Sequence, residues 1–211
     1  MTKKNQDQVE GGLRSILSRP VFYKTFQRLV GSDRAFKKLI NIIQPAPGSR
    51  MLDIGCGEGH ILDFLPQSIT YTGYDMSASY IKYAKQKYGD RGRFINERVS
   101  DMVMKNAEPF DIVLATGLVH HLNDFEAKEL FQTGYNCLKK GGVMITTDNA
   151  YYKGQSFLAK YISSKDRGKH VRYPEQYSEL ALSAFNTVET IIRHDMIRLP
   201  QTTCILKCRK V

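Results

Sequence analysis

The stretch that decides the fold is Met51-Leu52-Asp53-Ile54-Gly55-Cys56-Gly57-Glu58-Gly59-His60. An apolar run that carries one acid, Asp53, leads into three glycines with the spacing G-x-G-x-G. Glycines at a turn from a strand to a helix let a ligand approach the backbone closely, and they leave helix N–H groups free to bind it. The sequence therefore predicts a buried strand that ends in a ligand-binding loop.

The acids around this loop indicate which ligand it binds. A dinucleotide-binding loop needs glycine where this chain has His60, and the carboxylates of Asp53 and Glu58 would repel a pyrophosphate. S-adenosylmethionine (SAM) has no phosphate, and carboxylates favour its ammonium and sulfonium groups. Asp75 ends the next predicted strand, where a carboxylate accepts hydrogen bonds from both hydroxyls of a ribose. The pattern favours SAM, and a purely structural turn is the alternative.

Short apolar segments alternate with helical segments from residue 50 onward, which is typical of a parallel sheet with crossover helices. A β-hairpin around Pro200 is expected to close the chain. The predicted strands cover residues 50–54, 70–75, 93–96, 111–115, 143–148, 187–199 and 203–211. The predicted helices cover residues 59–65, 79–88, 124–138, 155–162 and 173–184, and residues 139–142 are predicted to form a turn.

The N-terminal part has a different pattern. Residues 1–12 are expected to be disordered, and two amphipathic helices are predicted at 20–30 and 32–44, the second with Ser32 as its N-cap and Pro45 after its end. We therefore predict one domain overall, in which residues 1–44 form a helical segment that covers the active site. Residues 45–211 then form the SAM-binding domain.

Four stretches, LDIGCGEG, YTGYD, FDIVLATGLVHHLND and LKKGGVMITT, resemble the class I SAM-dependent methyltransferases over most of residues 45–150. The likeness is to small bacterial methyltransferases of an uncharacterised subfamily. It implies an α/β, Rossmann-like fold with a mostly parallel seven-stranded sheet, a C-terminal antiparallel hairpin and helices on both faces. It also implies that SAM is the cofactor and S-adenosylhomocysteine (SAH) the product.

The resemblance implies a set of cofactor-binding residues. Asp53 and the loop glycines are expected to hold the methionine part of SAM, and Asp75 with Met76 the ribose and the adenine edge. After the third strand, where family members often carry an acid beside the adenine, this chain has Arg98. The full predicted set is Asp53, Gly55, Cys56, Gly57, Asp75, Met76, Arg98, Val99, Ala115 and Thr116.

The segment after the fourth strand carries two adjacent histidines, His120 and His121. The carboxyl ends of parallel strands face the ligand crevice, so either histidine is a candidate general base for an acceptor hydroxyl. The alternative is that they pack locally and cap the helix that begins near Asp124. No metal is expected, because Asp148 at the end of the fifth strand has no adjacent acid in the sequence.

The acceptor is expected to be a small anionic or sugar-like molecule that is methylated on oxygen. The net charge of +10 lies in the flanks, and residues 165–172 hold five cations when His170 is counted. Such a cluster binds carboxylates or phosphates, although a solvated loop explains it equally well. The predicted acceptor-binding residues are Tyr151, Arg167, Lys169 and Arg172. The alternative functions are RNA methylation through the basic flanks and a non-catalytic SAM-binding module.

Composition indicates where the protein works. The polar start of the chain has no apolar secretion segment, and no run of about 18 apolar residues is present. The four cysteines form no C-x-x-C pair, as expected for reduced thiols. We therefore expect a cytoplasmic protein with a small-molecule partner, no membrane span and no nucleic-acid partner.

Overall fold

The structure, a computed structural model, describes residues 31–99, 108–166 and 168–211. In that part of the chain, seven strands form one sheet with the order β3-β2-β1-β4-β5-β7-β6. The predictions for residues 1–12 and 20–30, and the acceptor contact assigned to Arg167, fall outside the described residues. The predicted seven-stranded, Rossmann-like fold is confirmed.

The first five strands pair in parallel, β1 with both β2 and β4 at the centre of the sheet. Their inner residues are almost all buried because helices cover both faces. The sequence predicted these strands because each is a short apolar run between turn residues. Their bounds are Arg50–Ile54 (β1), Thr70–Tyr74 (β2), Arg93–Ile95 (β3), Phe110–Thr116 (β4) and Leu138–Ala150 (β5).

Five α-helices and three short 3₁₀ segments lie within the described residues. The best-capped helix is α3, where Asn123 and Glu126 form a reciprocal capping box. The helices are Ser32–Ile43 (α1), Ala78–Tyr88 (α2), Asp124–Cys137 (α3), Phe157–Ser164 (α4) and Pro174–Leu182 (α5). The 3₁₀ segments are His60–Asp63, Gly89–Arg91 and Val119–His121.

The predicted C-terminal hairpin is present. β6 (Thr187–Arg193) and β7 (Thr202–Arg209) pair antiparallel, and β7 also pairs antiparallel with β5 over eight positions. β7 therefore lies between β5 and β6, so the last strand of the chain is an inner strand and β6 forms the edge.

Three local predictions are corrected. The segment after the glycine loop is a 3₁₀ turn (His60–Asp63) rather than a helix over 59–65. Ser32 is the first residue of α1, and Gly31 in a left-handed conformation precedes it as the N-cap. The predicted turn at 139–142 belongs to β5, because Gly141 and Gly142 exchange backbone hydrogen bonds with Lys210.

The core consists of two clusters of buried side chains. Both clusters include residues of the central strands β1 and β4, for example Leu52 and Val113 in one and Met51 and Leu114 in the other. Alternation along these strands sends neighbouring residues to opposite faces of the sheet, so each face has its own core. Within the described ranges, no helix is both long and apolar enough to cross a bilayer.

Candidate cofactor and acceptor site

The glycine loop connects the carboxyl end of β1 to the next turn, and β2 holds it in place. The backbone N–H groups of Gly55 and Cys56 both donate to the carbonyl oxygen of Tyr74, at 2.8 and 3.0 Å. Gly55 has a φ of 75°, a left-handed conformation that strongly favours glycine at this turn. The loop backbone is therefore fixed before any ligand binds.

Asp75 ties the loop to the start of α2. One carboxylate oxygen, Oδ2, accepts a hydrogen bond from the backbone N–H of Gly57 at 2.8 Å, and Oδ1 accepts one from Ser77 at 2.8 Å. A carboxylate offers about four acceptor positions, so lone pairs remain for a ligand. Asp75 is half-buried and lines a cavity, which is the position expected of a ribose-binding carboxylate.

Asp53 lies beneath the loop and is 4% exposed. Its Oδ2 accepts a hydrogen bond of 2.7 Å from the hydroxyl of Tyr71, while its Oδ1 has no hydrogen-bond partner among the described residues. Burial raises the pKa of Asp53 to about 7, although the bond from Tyr71 opposes the shift. Thr116 at the end of β4 has a buried hydroxyl that also lacks such a partner.

Two neighbouring cavities meet at Gly55. The smaller has a volume of about 200 Å³ and is lined by Asp53, the loop and Thr116. The larger, of about 730 Å³, is lined by Asp75 together with Met76, Val99 and Leu118. The smaller cavity combines buried hydrogen-bond acceptors with glycine backbone, and the larger combines several acidic side chains, among them Asp75, with apolar side chains. Together they suit a long ligand with a cationic end and a sugar-linked aromatic end.

Most of the predicted cofactor residues line these two cavities. Arg98 and Val99 lie on the larger one, and Arg98 also pairs with Glu129 at 3.3 Å. Ala115 is corrected, because its strand position leaves it fully buried in the core and away from both cavities. The sequence missed cavity residues for which it gave no signal, since aromatic and aliphatic side chains resemble core residues in sequence. Phe36, Tyr80 and Leu118 are examples.

His120 is held between two carboxylates. Its Nδ1 lies 2.8 Å from Asp148 Oδ1, and its Nε2 lies 3.2 Å from Asp166 Oδ1. Burial alone would lower the pKa of His120, but the hydrogen bonds to Asp148 and Asp166 outweigh it and raise the pKa to about 9. Its ring also packs against Gly168, where a β-carbon would lie only 2.0 Å from the ring. The imidazole therefore contacts both Asp166 and Gly168 close to the end of β4.

These contacts engage both ring nitrogens of His120 with carboxylates, and the raised pKa favours the protonated ring, so the geometry favours a structural role. The role of His120 as general base stays a prediction. His121 is exposed, with its ring centroid 4.3 Å from that of His120, and its role as a base stays a prediction.

His120, His121 and Asp166 each place one ligand atom within 4.8 Å of the others, an arrangement that could hold a metal ion. The expectation that no metal binds stays a prediction.

The raised pKa of His120 predicts a pH-dependent stability. The unfolded histidine titrates near 6.5 and the folded one at about 9, so its contribution is fully present below pH 6.5 and is lost as the pH rises through 9. We expect the urea midpoint of the wild type to fall between pH 6.5 and 9.5 more steeply than that of His120→Ala. The exposed neighbour supplies the control, because His121→Ala should keep the wild-type slope. Equal slopes for all three proteins would contradict the assignment.

Arg172 has a different role from the predicted one. All five N–H groups of its buried guanidinium are used: they donate to Asp124 Oδ1 twice and to the carbonyl oxygens of Val119, Leu122 and His170. Arg172 therefore holds the segment between β4 and α3 in place and connects it to Asp124, the first residue of α3. No N–H group of Arg172 remains to bind the methyl acceptor, which corrects its assignment as an acceptor-binding residue.

Two other predicted acceptor residues lie at the same edge of the sheet. Tyr151 follows β5, is half-buried, and has its ring centroid 5.8 Å from that of Tyr173. Its backbone N–H donates to the carbonyl oxygen of Arg172 at 3.0 Å, so β5 and the 168–172 segment run side by side. Lys169 on that segment is exposed. The structure thus brings these two residues to the carboxyl edge of the sheet.

The comparisons with known proteins agree with this geometry. The family model of a methyltransferase domain matches residues 51–142. An uncharacterized methyltransferase of Geobacillus sp. (strain WCH70) is 27% identical over 64% of this chain and 63% of its own length. A phosphoethanolamine N-methyltransferase of Triticum aestivum is 25% identical over 73% of this chain and 31% of its own. A ubiquinone biosynthesis O-methyltransferase of Caulobacter sp. (strain K31) is 34% identical over 48% and 41%.

A solved structure shows the same fold. The plantazolicin methyltransferase BamL, crystallised with a triazolic analogue and SAH, superposes with a TM-score of 0.65 at 16% identity over 94% of each chain. This chain spans under two thirds of the length of the first curated relatives that it matches. The matched domain contains the glycine loop, Asp53 and Asp75, and the sheet has the class I strand order. The chain therefore resembles the class I SAM-dependent methyltransferases in the matched methyltransferase domain and in its fold.

Proposed function

We propose that this chain transfers a methyl group from SAM to a small-molecule acceptor, most simply to a hydroxyl. One observation carries the proposal: the buried oxygens Asp53 Oδ1 and Thr116 Oγ1 lack partners among the described residues and line the same cavity beside the glycine loop. A buried polar atom without a partner costs about 1–3 kcal/mol, so the site is built for a polar ligand.

The residues present fit SAM. Asp53 would accept hydrogen bonds from the ammonium group, and Asp75 would accept them from the ribose hydroxyls. Val99 and Leu118 offer the apolar surface that an adenine ring needs. SAM supplies a methyl group on a sulfonium, which is already activated for displacement. The protein therefore has to orient the acceptor, exclude water and, for a hydroxyl, take a proton.

The raised pKa of Asp53 predicts that cofactor affinity depends on pH. A protonated carboxyl cannot pair with an ammonium, so affinity should fall as the pH drops below about 7 and reach a plateau above it. Titration of SAH by calorimetry from pH 5.5 to 8.5 measures this. Asp53→Asn should bind more weakly and lose the dependence in this range. A wild-type affinity that is flat across pH 7 would contradict the proposed contact.

The acceptor is proposed to bind at the carboxyl edge of the sheet, next to His121, Tyr151 and Lys169. Among these, His121 is the candidate base, since His120 is fully engaged. Lys169 and the nearby Lys153 are exposed cations that suit an anionic acceptor. The names of the relatives refer to phosphoethanolamine and to ubiquinone biosynthesis, and both support a small acceptor.

An assay of SAH formation tests the proposal. Purified protein with SAM is offered carboxylated, phosphorylated and sugar-nucleotide alcohols, matched amines and total RNA. We expect turnover with a small alcohol and its loss in Asp75→Ala. Turnover only with an amine would move the reaction from oxygen to nitrogen, and turnover only with RNA would overturn the small-molecule acceptor. SAH binding without turnover on extracts of small metabolites would identify a non-catalytic module.

A further inference from the structure

Helix α4 packs with its small side chains inward and its large apolar side chains outward. The buried residues of this helix are Ala159 and Ser163, whereas Phe157 is 86% exposed, Leu158 56% and Tyr161 53%. At about 100° per residue, the three exposed side chains lie within one arc of about 100° on the opposite side from the buried pair. An amphipathic helix of a soluble domain normally faces the other way.

Lysines surround this exposed face. Lys160 lies on the helix, Lys165 at its end has its Nζ 5.5 Å from the centre of the Tyr161 ring, and Lys153 lies just before it; all three are exposed. The acid of the segment, Asp166, is turned inward, where it contacts His120 and accepts hydrogen bonds from Asn149 and Gly168. The patch is therefore apolar at its centre and positive at its rim.

The positive charge of the lysines around the exposed face of α4 indicates which kind of partner binds there. A second copy would bring an identical positive rim against the first. The segment 1–30 carries six basic and two acidic residues, so its net charge does not complement the positive rim either. An anionic bilayer surface offers both chemistries at once, since headgroups attract lysines and the acyl boundary accepts Phe, Leu and Tyr side chains.

We propose that α4 is a membrane-contact surface that binds the interface of bilayers containing anionic lipid. Phe157, Leu158 and Tyr161 would enter the interfacial region, and Lys153, Lys160 and Lys165 would contact the headgroups. The contact is peripheral, and it is independent of the identity of the methyl acceptor. It places the carboxyl edge of the sheet, to which Tyr151 and Lys169 belong, next to the lipid surface.

A single tryptophan tests this surface, because the chain contains none. In Leu158→Trp, we expect emission typical of an exposed indole in buffer and a shift to shorter wavelength on vesicles of phosphatidylglycerol and phosphatidylcholine. The matched control is Phe125→Trp on α3, which replaces a 71% exposed residue between Asp124 and Glu126 and should not respond. Adding Lys160→Gln and Lys165→Gln should weaken vesicle affinity about 25-fold, at about fivefold for each lysine.

Each alternative occupant gives a distinct result that overturns the proposal. Emission already at short wavelength in buffer and unchanged by vesicles means that the chain covers its own patch. A shift that grows with protein concentration in the absence of vesicles means that a second copy binds. An equal shift on pure phosphatidylcholine removes the role of the lysines, and a shift with RNA but not with vesicles identifies a nucleic-acid surface.

Discussion

Replacing Arg172 by methionine is expected to destabilise the fold by about 3 kcal/mol, because each buried acceptor that loses its donor costs about 1–3 kcal/mol. Methionine keeps the volume but provides none of the five N–H groups. The carbonyl oxygens of Leu122 and His170 then lose the donor that Arg172 provides, and that of Val119 keeps the N–H of Leu122. The segment after β4 separates from the 168–172 segment. At about 2–4 °C per kcal/mol for a domain of this size, the melting temperature should fall by about 10 °C.

The control for this variant is Lys153→Met, the same loss of charge at an exposed position nearby. Its effect should stay within about 0.5 kcal/mol, as is usual for a surface substitution. Urea unfolding of the three proteins measures the difference. If Arg172→Met unfolds at the wild-type urea concentration, the guanidinium is not structural and its predicted contact with an acceptor regains support.

Replacing Asp75 by alanine is expected to weaken SAH binding about 5- to 150-fold, in line with about 1–3 kcal/mol for a lost charged hydrogen-bond partner. Two effects act together here. The ribose loses its acceptor, and the backbone N–H groups of Gly57 and Ser77 lose the carboxylate that orders the loop. Asp75→Asn, which retains one acceptor oxygen, should fall between the wild type and Asp75→Ala.

Calorimetry with SAH measures this effect, and Asp90→Ala is the control because Asp90 is an exposed acid in the turn after α2. The control should bind as the wild type does. Melting temperatures separate lost affinity from lost folding. Wild-type affinity in both Asp75→Ala and Asp53→Ala would refute the cofactor assignment.

The strands and the cofactor loop were predictable because their signals are local. β1 was predicted with its exact bounds from five consecutive residues, and the position of Asp75 followed from its place at the end of the next apolar run. Glycine spacing and the sign of nearby charge act within a few residues of the chain. The glycine spacing and the nearby charges therefore indicate the loop and its ligand without knowledge of the tertiary contacts.

The partners of the buried polar groups were not predictable, because they come from distant positions. Tyr71 donates to Asp53 from 18 residues away, and Asp148 contacts His120 from 28 residues away. Arg172 bonds to Val119 across 53 residues. In the sequence, Tyr71 lies inside a predicted strand, and Arg172 is one of five clustered cations and was predicted to bind the acceptor. The structure buries Arg172, where the 168–172 segment pairs with the end of β5.

The extent of β5 was underestimated for a related reason. Lys139, Lys140 and two glycines read locally as a helix C-terminus. However, Leu138 pairs with β4, and the two glycines exchange backbone hydrogen bonds with Lys210, next to β7. Cross-strand hydrogen bonds thus override local turn preference. After the glycine loop, a 3₁₀ turn of four residues stands where a helix was predicted.

A crystal structure of the chain with SAH tests directly whether the glycine loop, Asp53 and Asp75 form a SAM site. We expect one SAH per chain, with its amino group against Asp53 and Thr116, its ribose against Asp75 and its adenine beside Val99 and Leu118. SAH bound elsewhere on the chain, or a loop cavity left empty at saturating SAH, would overturn the assignment.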